Sequence, residues 1–178
     1  MFVLMGVLAE AAGLTSQVFY TADLWLRRFR GGLYQAVIVG SAMFAAISGS
    51  TIVNAVVFTR IAFPHMMKYG YSKSLSIGAI AGAGSFAAMI PPSITMVIYA
   101  IMTEQSVGKL FIAGIVPGIL IALLFCLTIY LNCKLRPHLG PAAQRFTWGA
   151  KFASLAGVLE TLILFVVVIG GMFQGFFT

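Results

Sequence analysis

FAAISGSTIVN, Phe44 to Asn54, is an apolar run broken at its centre by Ser48-Gly49-Ser50. Without that triplet the surrounding residues would read as one membrane helix. Glycine between two small hydroxyl residues favours a turn. A turn inside a bilayer leaves backbone N–H and C=O groups without water, so it survives only when buried in protein or lining a polar cavity. The triplet therefore marks a candidate functional site, and the fold depends on whether the chain crosses there or turns back.

The 178 residues are 61% hydrophobic and 8% charged, with a mean hydropathy of +1.03, where soluble domains carry about a quarter charged residues. This is the composition of an integral membrane protein. The ten-residue alternating segments of a transmembrane barrel are missing, and the fold class is all-α. The net charge of +7 comes from basic residues scattered singly and in threes between apolar runs. That pattern excludes a nucleic-acid-binding domain and makes the cations topology signals. No signal peptide is expected at the start. Cys126 and Cys133 lie about 10 Å apart along one helix, too far for a disulfide, and are expected as lipid-facing or packed thiols.

Residues 1–30 are expected to hold a membrane helix followed by a basic interfacial helix. Thr21 and Asp23 are helix-start residues, and DLWLRRFR mixes Leu24, Trp25, Leu26 and Phe29 with Arg27, Arg28 and Arg30. This suits a short helix at the membrane surface, or a basic loop with an aromatic anchor.

Gly31 to Thr59 is apolar over 29 residues, about 43 Å as a straight helix against a hydrocarbon core of about 30 Å. Arg27, Arg28 and Arg30 precede it, and Arg60, Lys68 and Lys73 follow it, so both ends belong on the cytoplasmic side. The run then has to fold back at the triplet. The second arm continues through Arg60, which can snorkel, and residues 31–67 form a re-entrant helical hairpin.

Residues 72–104 are expected to form a broken helix. Pro91 and Pro92 remove two N–H donors and push Ile90 and Pro91 out of helical geometry. Ahead of the break, Gly78, Ala81, Gly82, Ser85 and Ala88 form a small-residue face, a natural dock for the hairpin. Residues 109–133, with a kink at Pro117-Gly118, and residues 152–177 make two further crossings. In this topology ten of the eleven basic residues fall on one side and Lys109 on the other.

A hairpin tip and a broken helix can bring carbonyl oxygens, hydroxyls and positive helix N-termini to one point, suited to a cation and an anionic substrate. Ser48, Gly49, Ser50, Asn54, Pro91, Pro92 and Ser93 are the candidate ion and substrate residues, with a sodium site at Ser48, Ser50, Pro91 and Ser93. The alternative is that Ser50 and Asn54 cap or cross-link helices and the prolines only kink one. Glu160 reads either as a buried acid on an ion pathway or as an interfacial acid paired with a neighbouring subunit. His65 and His138 are expected at the solvated surface, and no resident metal or other cofactor is expected. An intramembrane serine hydrolase and a non-transporting scaffold or assembly subunit remain as other readings. The string Ala46-Ile47-Ser48-Gly49 lacks the leading glycine of a G-x-S-G pattern.

AMFAAISGSTIVNA, FPHMMKYGYSKSLSIGAIAGAG, MIPPSITMVIYA and KLFIAGIVPGIL, in this order, resemble the large DctM-type membrane subunit of tripartite ATP-independent periplasmic (TRAP) transporters. The resemblance implies a multi-pass bacterial inner-membrane permease, an elevator-type secondary transporter importing an organic acid such as a carboxylate with sodium, and not an enzyme. It implies as partners a small four-helix membrane subunit and a periplasmic solute-binding protein. Ser48-Gly49-Ser50 looks like the hairpin tip and Pro91-Pro92-Ser93 like the unwound loop of a sodium site, with Asn54 where a polar residue is usual. Such subunits carry an inverted second half with a matching hairpin and broken helix. The resemblance therefore implies an incomplete subunit, an inverted-repeat half holding about half of the site.

Overall fold

The computed structural model describes residues 2–29, 31–141 and 148–173. Arg30, Arg145 and the last residues of the terminal GGMFQGFFT lie outside these. Among the described residues all regular structure is helical: α1 (Phe2–Ala11), α2 (Leu14–Leu26), α3 (Gly32–Ser48), α4 (Thr51–Lys68), α5 (Lys73–Gly84), α6 (Ile94–Met102), α7 (Val107–Leu135) and α8 (Trp148–Phe173). Short 3-10 turns lie at Ser85–Ala88 and Pro137–Leu139.

The core is built around α3. Leu33, Tyr34, Val37, Ile38, Phe44 and Ile47 are all essentially inaccessible, and α3 meets α1, α2, α4, α5, α7 and α8. α3, largely apolar around its circumference, is thus enclosed on all sides. Two residues, Gly49 and Ser50, join α3 to α4. Gly49 closes α3 with φ 59, the left-handed region where a Cβ is unfavourable. The helices return on each other: Phe44 packs against Phe58 at 6.2 Å between ring centres.

The open end of this hairpin is pinned shut. Tyr34 meets Tyr71 edge-on at 4.8 Å, Tyr34 Oη donates to the Leu139 carbonyl at 2.8 Å, and Leu33 N donates to Tyr71 Oη at 3.3 Å. Arg27 stacks over Tyr69 at 4.3 Å, and Trp25 Nε1 donates to the Lys151 carbonyl at 3.3 Å. Arg27, Lys68, Lys73, Arg136 and Lys151 are therefore gathered at one end of the bundle, the physical counterpart of the charge asymmetry in the sequence.

Two local expectations change. No helix starts at Thr21 or Asp23: α2 begins at Leu14, after a break at Gly13 with φ 79. Asp23 sits inside it because its carboxylate is buried against Arg27, with Arg27 Nε donating to Asp23 Oδ1 at 2.8 Å. The second arm of the hairpin runs, as expected, on through Arg60, and ends at Lys68, 18 residues beside the 17 of the first.

The small-residue face is also not the hairpin's dock as a whole. A Cβ on Gly78 would meet nothing within 4 Å, and one on Gly82 would lie 2.4 Å from the Phe125 ring of α7. The hairpin instead rests on the adjacent face, where a Cβ on Gly84 would come within 3.0 Å of Ala55.

α7 is continuous through Pro117, and it is the helix among the described residues long and apolar enough to cross a membrane. Its outer side chains, including Val116, Leu123 and Leu127, are exposed.

Candidate functional site

Two interruptions in helical structure meet at the closed end of the hairpin. The chain leaves helical geometry after the 3-10 turn at Ser85–Ala88 and resumes at Ile94. Ile94 N then donates to the Gly49 carbonyl at 3.2 Å. This bond brings Ser48-Gly49-Ser50 and Pro91-Pro92-Ser93 into one place, although Ser93 comes 43 positions after Ser50.

The two helices that start here start alike. Ser50 caps α4 with φ −125 and ψ 121, and Ser93 caps α6 with φ −123 and ψ 129. Ser50 Oγ accepts from Val53 N at 3.5 Å, and Ser93 Oγ accepts from Met96 N at 3.4 Å. Each hydroxyl satisfies an N–H that the first helical turn leaves without a partner. Ser93 Oγ also donates to the Ala88 carbonyl at 2.9 Å, tying the end of the 3-10 turn to the start of α6.

Ser48, Gly49, Pro91, Pro92 and Ser93 are buried and Ser50 is half-buried. Ser48 Oγ stands apart, since it is inaccessible and has no hydrogen-bond partner. A buried hydroxyl without a partner is costly, by about 1–3 kcal/mol, and such groups mark places where a ligand can compensate. Two helix N-termini and the C-terminal end of α3 converge here. Their partial charges suit an anion at the former and a cation at the latter.

Asn54 is not part of this convergence. Its Oδ1 accepts from Ser41 Oγ at 2.7 Å and its Nδ2 donates to the Ser41 carbonyl at 3.1 Å. In this arrangement the side chain cross-links the arms of the hairpin one turn into α4. The sequence reading passed over Ser41, Gly6 and Ile94. Ser41 had a signal: it lies seven residues before Ser48, on the same face of α3. Gly6 had none, since nothing local shows that α1 lies over the tip, where a Cβ on Gly6 would fall 2.8 Å from Ser48 Cβ.

His65 and His138 are exposed at the basic end, and no cluster of three His, Cys, Asp or Glu side chains occurs among the described residues. Glu160 is exposed on α8.

A family model described as "Tripartite ATP-independent periplasmic transporter, DctM component" matches residues 1–178. The chain belongs to the DctM family. The C4-dicarboxylate TRAP transporter large permease protein DctM of Pseudomonas aeruginosa is 37% identical over 177 residues, which cover 99% of this chain and 41% of that protein. The ectoine TRAP transporter large permease protein TeaC of Halomonas elongata is 32% identical over 178 residues, with 100% and 41% covered. The sialic acid TRAP transporter large permease protein SiaM of Vibrio cholerae is 32% identical over 178 residues, with 99% and 41% covered. The chain thus spans about two fifths of the length of these curated DctM relatives. TRAP permeases are membrane proteins and transporters, not enzymes, which removes the serine-hydrolase reading.

Proposed function

We propose that this chain supplies one hairpin-and-broken-helix half of the transport site in a large TRAP permease of the bacterial inner membrane. The permease takes up a small organic acid with sodium, served by a periplasmic solute-binding protein and a small four-helix membrane subunit. The observation that carries the reading is the hydrogen bond from Ile94 to Gly49, 3.2 Å long, because it joins two breaks that are far apart in sequence. Polar breaks of this kind inside a membrane are maintained where they line a cavity.

The relatives named for C4-dicarboxylate and sialic acid take acids, and the paired N-termini of α4 and α6 suit a carboxylate. Sodium prefers hard oxygen ligands, and the unpartnered Ser48 hydroxyl, with Ser50 from the same break and Ser93 and the Pro91 carbonyl from the other, offers them. The hairpin turns back within the membrane in this reading, with both ends cytoplasmic, and moves as the core of an elevator.

The test is uptake into proteoliposomes by the whole permease with its partners, offering C4-dicarboxylate, ectoine and sialic acid with and without a sodium gradient. Sodium-dependent uptake of an acid is expected, lowered in Ser48→Ala and in Pro92→Ala. Uptake and sodium dependence unchanged in both variants would falsify the assignment of the site.

A further inference from the structure

α5 starts at the basic end of the bundle and α7 finishes there. At that end Ser72 N, just ahead of α5, donates to the Leu139 carbonyl, just past α7, at 3.5 Å. Deeper in, the Phe125 ring of α7 lies on Gly82 of α5 and is held edge-on by Phe86 at 5.3 Å. Between these two levels the helices leave a groove. On the α5 side Gly78 shares the face of Gly82 one turn away, and a Cβ there would meet nothing within 4 Å. On the α7 side the exposed Thr128 and Leu135 lie on the face of Phe125, with Leu131 beside them. Thr128 Oγ1 donates to the Leu124 carbonyl at 2.7 Å and Asn132 Nδ2 to the Thr128 carbonyl at 2.9 Å. These donors are met within α7, so the wall does not need water.

Cations stand at the mouth. Lys73 opens α5, and Lys134 and Arg136 lie where α7 ends. All three are exposed, and none pairs with an acid among the described residues. Asp23, at the same end, is already committed to Arg27. From Leu135 down to Phe125 the groove is ten residues deep, about 15 Å. That is half of a hydrocarbon layer of about 30 Å, the depth of one leaflet.

We propose that the α5–α7 groove binds an anionic phospholipid, its phosphate at Lys73, Lys134 and Arg136 and one acyl chain along Gly78, Thr128 and Leu131 as far as Phe125. Basic pockets between membrane helices on the cytoplasmic side hold anionic head groups. A spanning helix from elsewhere in the polypeptide has to run through both leaflets, and the Phe125–Gly82 contact closes the groove after one. A free phosphate would leave the apolar part unfilled. The inference rests on α7 crossing the membrane and is independent of the transport site.

The test is native mass spectrometry of the whole permease in nonionic detergent. The probes are phosphatidylglycerol, phosphatidylcholine with the same acyl chains, and glycerol phosphate as a head group without chains. Phosphatidylglycerol is expected to bind more tightly than phosphatidylcholine. Each of Lys73→Gln, Lys134→Gln and Arg136→Gln is expected to weaken it about fivefold, and the triple variant on the order of a hundredfold. Lys109→Gln, at the opposite end of α7, leaves it unchanged. Gly78→Leu fills the groove without touching the cations and is expected to remove phosphatidylglycerol. Circular dichroism checks that each variant stays helical, as substitution at exposed positions predicts. Equal binding of the two lipids overturns the proposal, as would follow if the rest of the polypeptide filled the groove. A preference that survives the triple variant overturns it as well. Binding that survives Gly78→Leu reduces the site to diffuse attraction at the surface, and displacement by equimolar glycerol phosphate makes it a site for free phosphate; either result overturns the proposal.

Discussion

Ser41 and Asn54 hold the two arms of the hairpin together by reciprocal hydrogen bonds. Ser41 Oγ donates to Asn54 Oδ1 at 2.7 Å, and Asn54 Nδ2 donates to the Ser41 carbonyl at 3.1 Å. Both residues are fully buried, so neither bond can be replaced by water. Ser41→Ala leaves the Asn54 oxygen unpaired and is expected to destabilise the protein by about 1–3 kcal/mol. Thermal unfolding in detergent measures this. Asn54→Leu alone should cost a similar amount, and the double variant less than the sum, because each single change orphans the other partner. Strict additivity would show that the two side chains act separately.

Asp23 and Arg27 form a buried ion pair at the basic end of the bundle. Asp23→Ala strands a guanidinium in the interior and is expected to lower stability by about 3–5 kcal/mol, seen as a large fall in the melting temperature or in folded yield. Replacing both, with Asp23→Leu and Arg27→Met, should recover much of the loss, since the desolvated charges go together. A double variant as unstable as Asp23→Ala would point to the Arg27–Tyr69 stack as the dominant contact.

Gly78 and Gly82 are one turn apart on α5 and should respond oppositely to alanine. A methyl group at Gly82 meets the Phe125 ring at 2.4 Å, and that ring is held edge-on by Phe86 at 5.3 Å. Overpacking of about 1–3 kcal/mol is expected. Gly78 has open space around it, so Gly78→Ala should be neutral or stabilise by up to about 1 kcal/mol through helix propensity. Melting curves of the two variants decide it, and destabilisation at Gly78 would mean that another helix covers that face.

The paired ends of the hairpin predict where thiols label. Phe29→Cys and Lys68→Cys, placed at exposed positions in a background without Cys126 and Cys133, should react with an impermeant thiol reagent from the same side of the membrane. Labelling from opposite sides would mean that the hairpin does not return. Gly31 is a poor reporter, because its φ of 71 and the Cys133 sulfur, 2.5 Å from where a Cβ would lie, leave no room for a side chain.

Some of this protein could be read from residues alone because the causes are local. Proline lacks an N–H, a glycine between serines allows a left-handed turn, and an apolar composition needs lipid. These features determined a helical membrane protein with interruptions at Ser48-Gly49-Ser50 and Pro91-Pro92-Ser93, and the four ordered motifs pointed to its family. The breaks were legible. Their meeting was not, since a hydrogen bond from Ile94 to Gly49 depends on how two helices pack.

Tertiary structure alone decided the partners. Thr21 bonds a carbonyl 133 residues away in Ser154, Asn54 turned inward to Ser41, Gly84 rather than Gly78 took the hairpin's weight, and Asp23 became the interior of a helix instead of its start. Local chemistry limits what each residue can do. Which of those options it takes is set by burial, because a polar group removed from water must find its partner among whatever side chains the fold brings within about 3 Å.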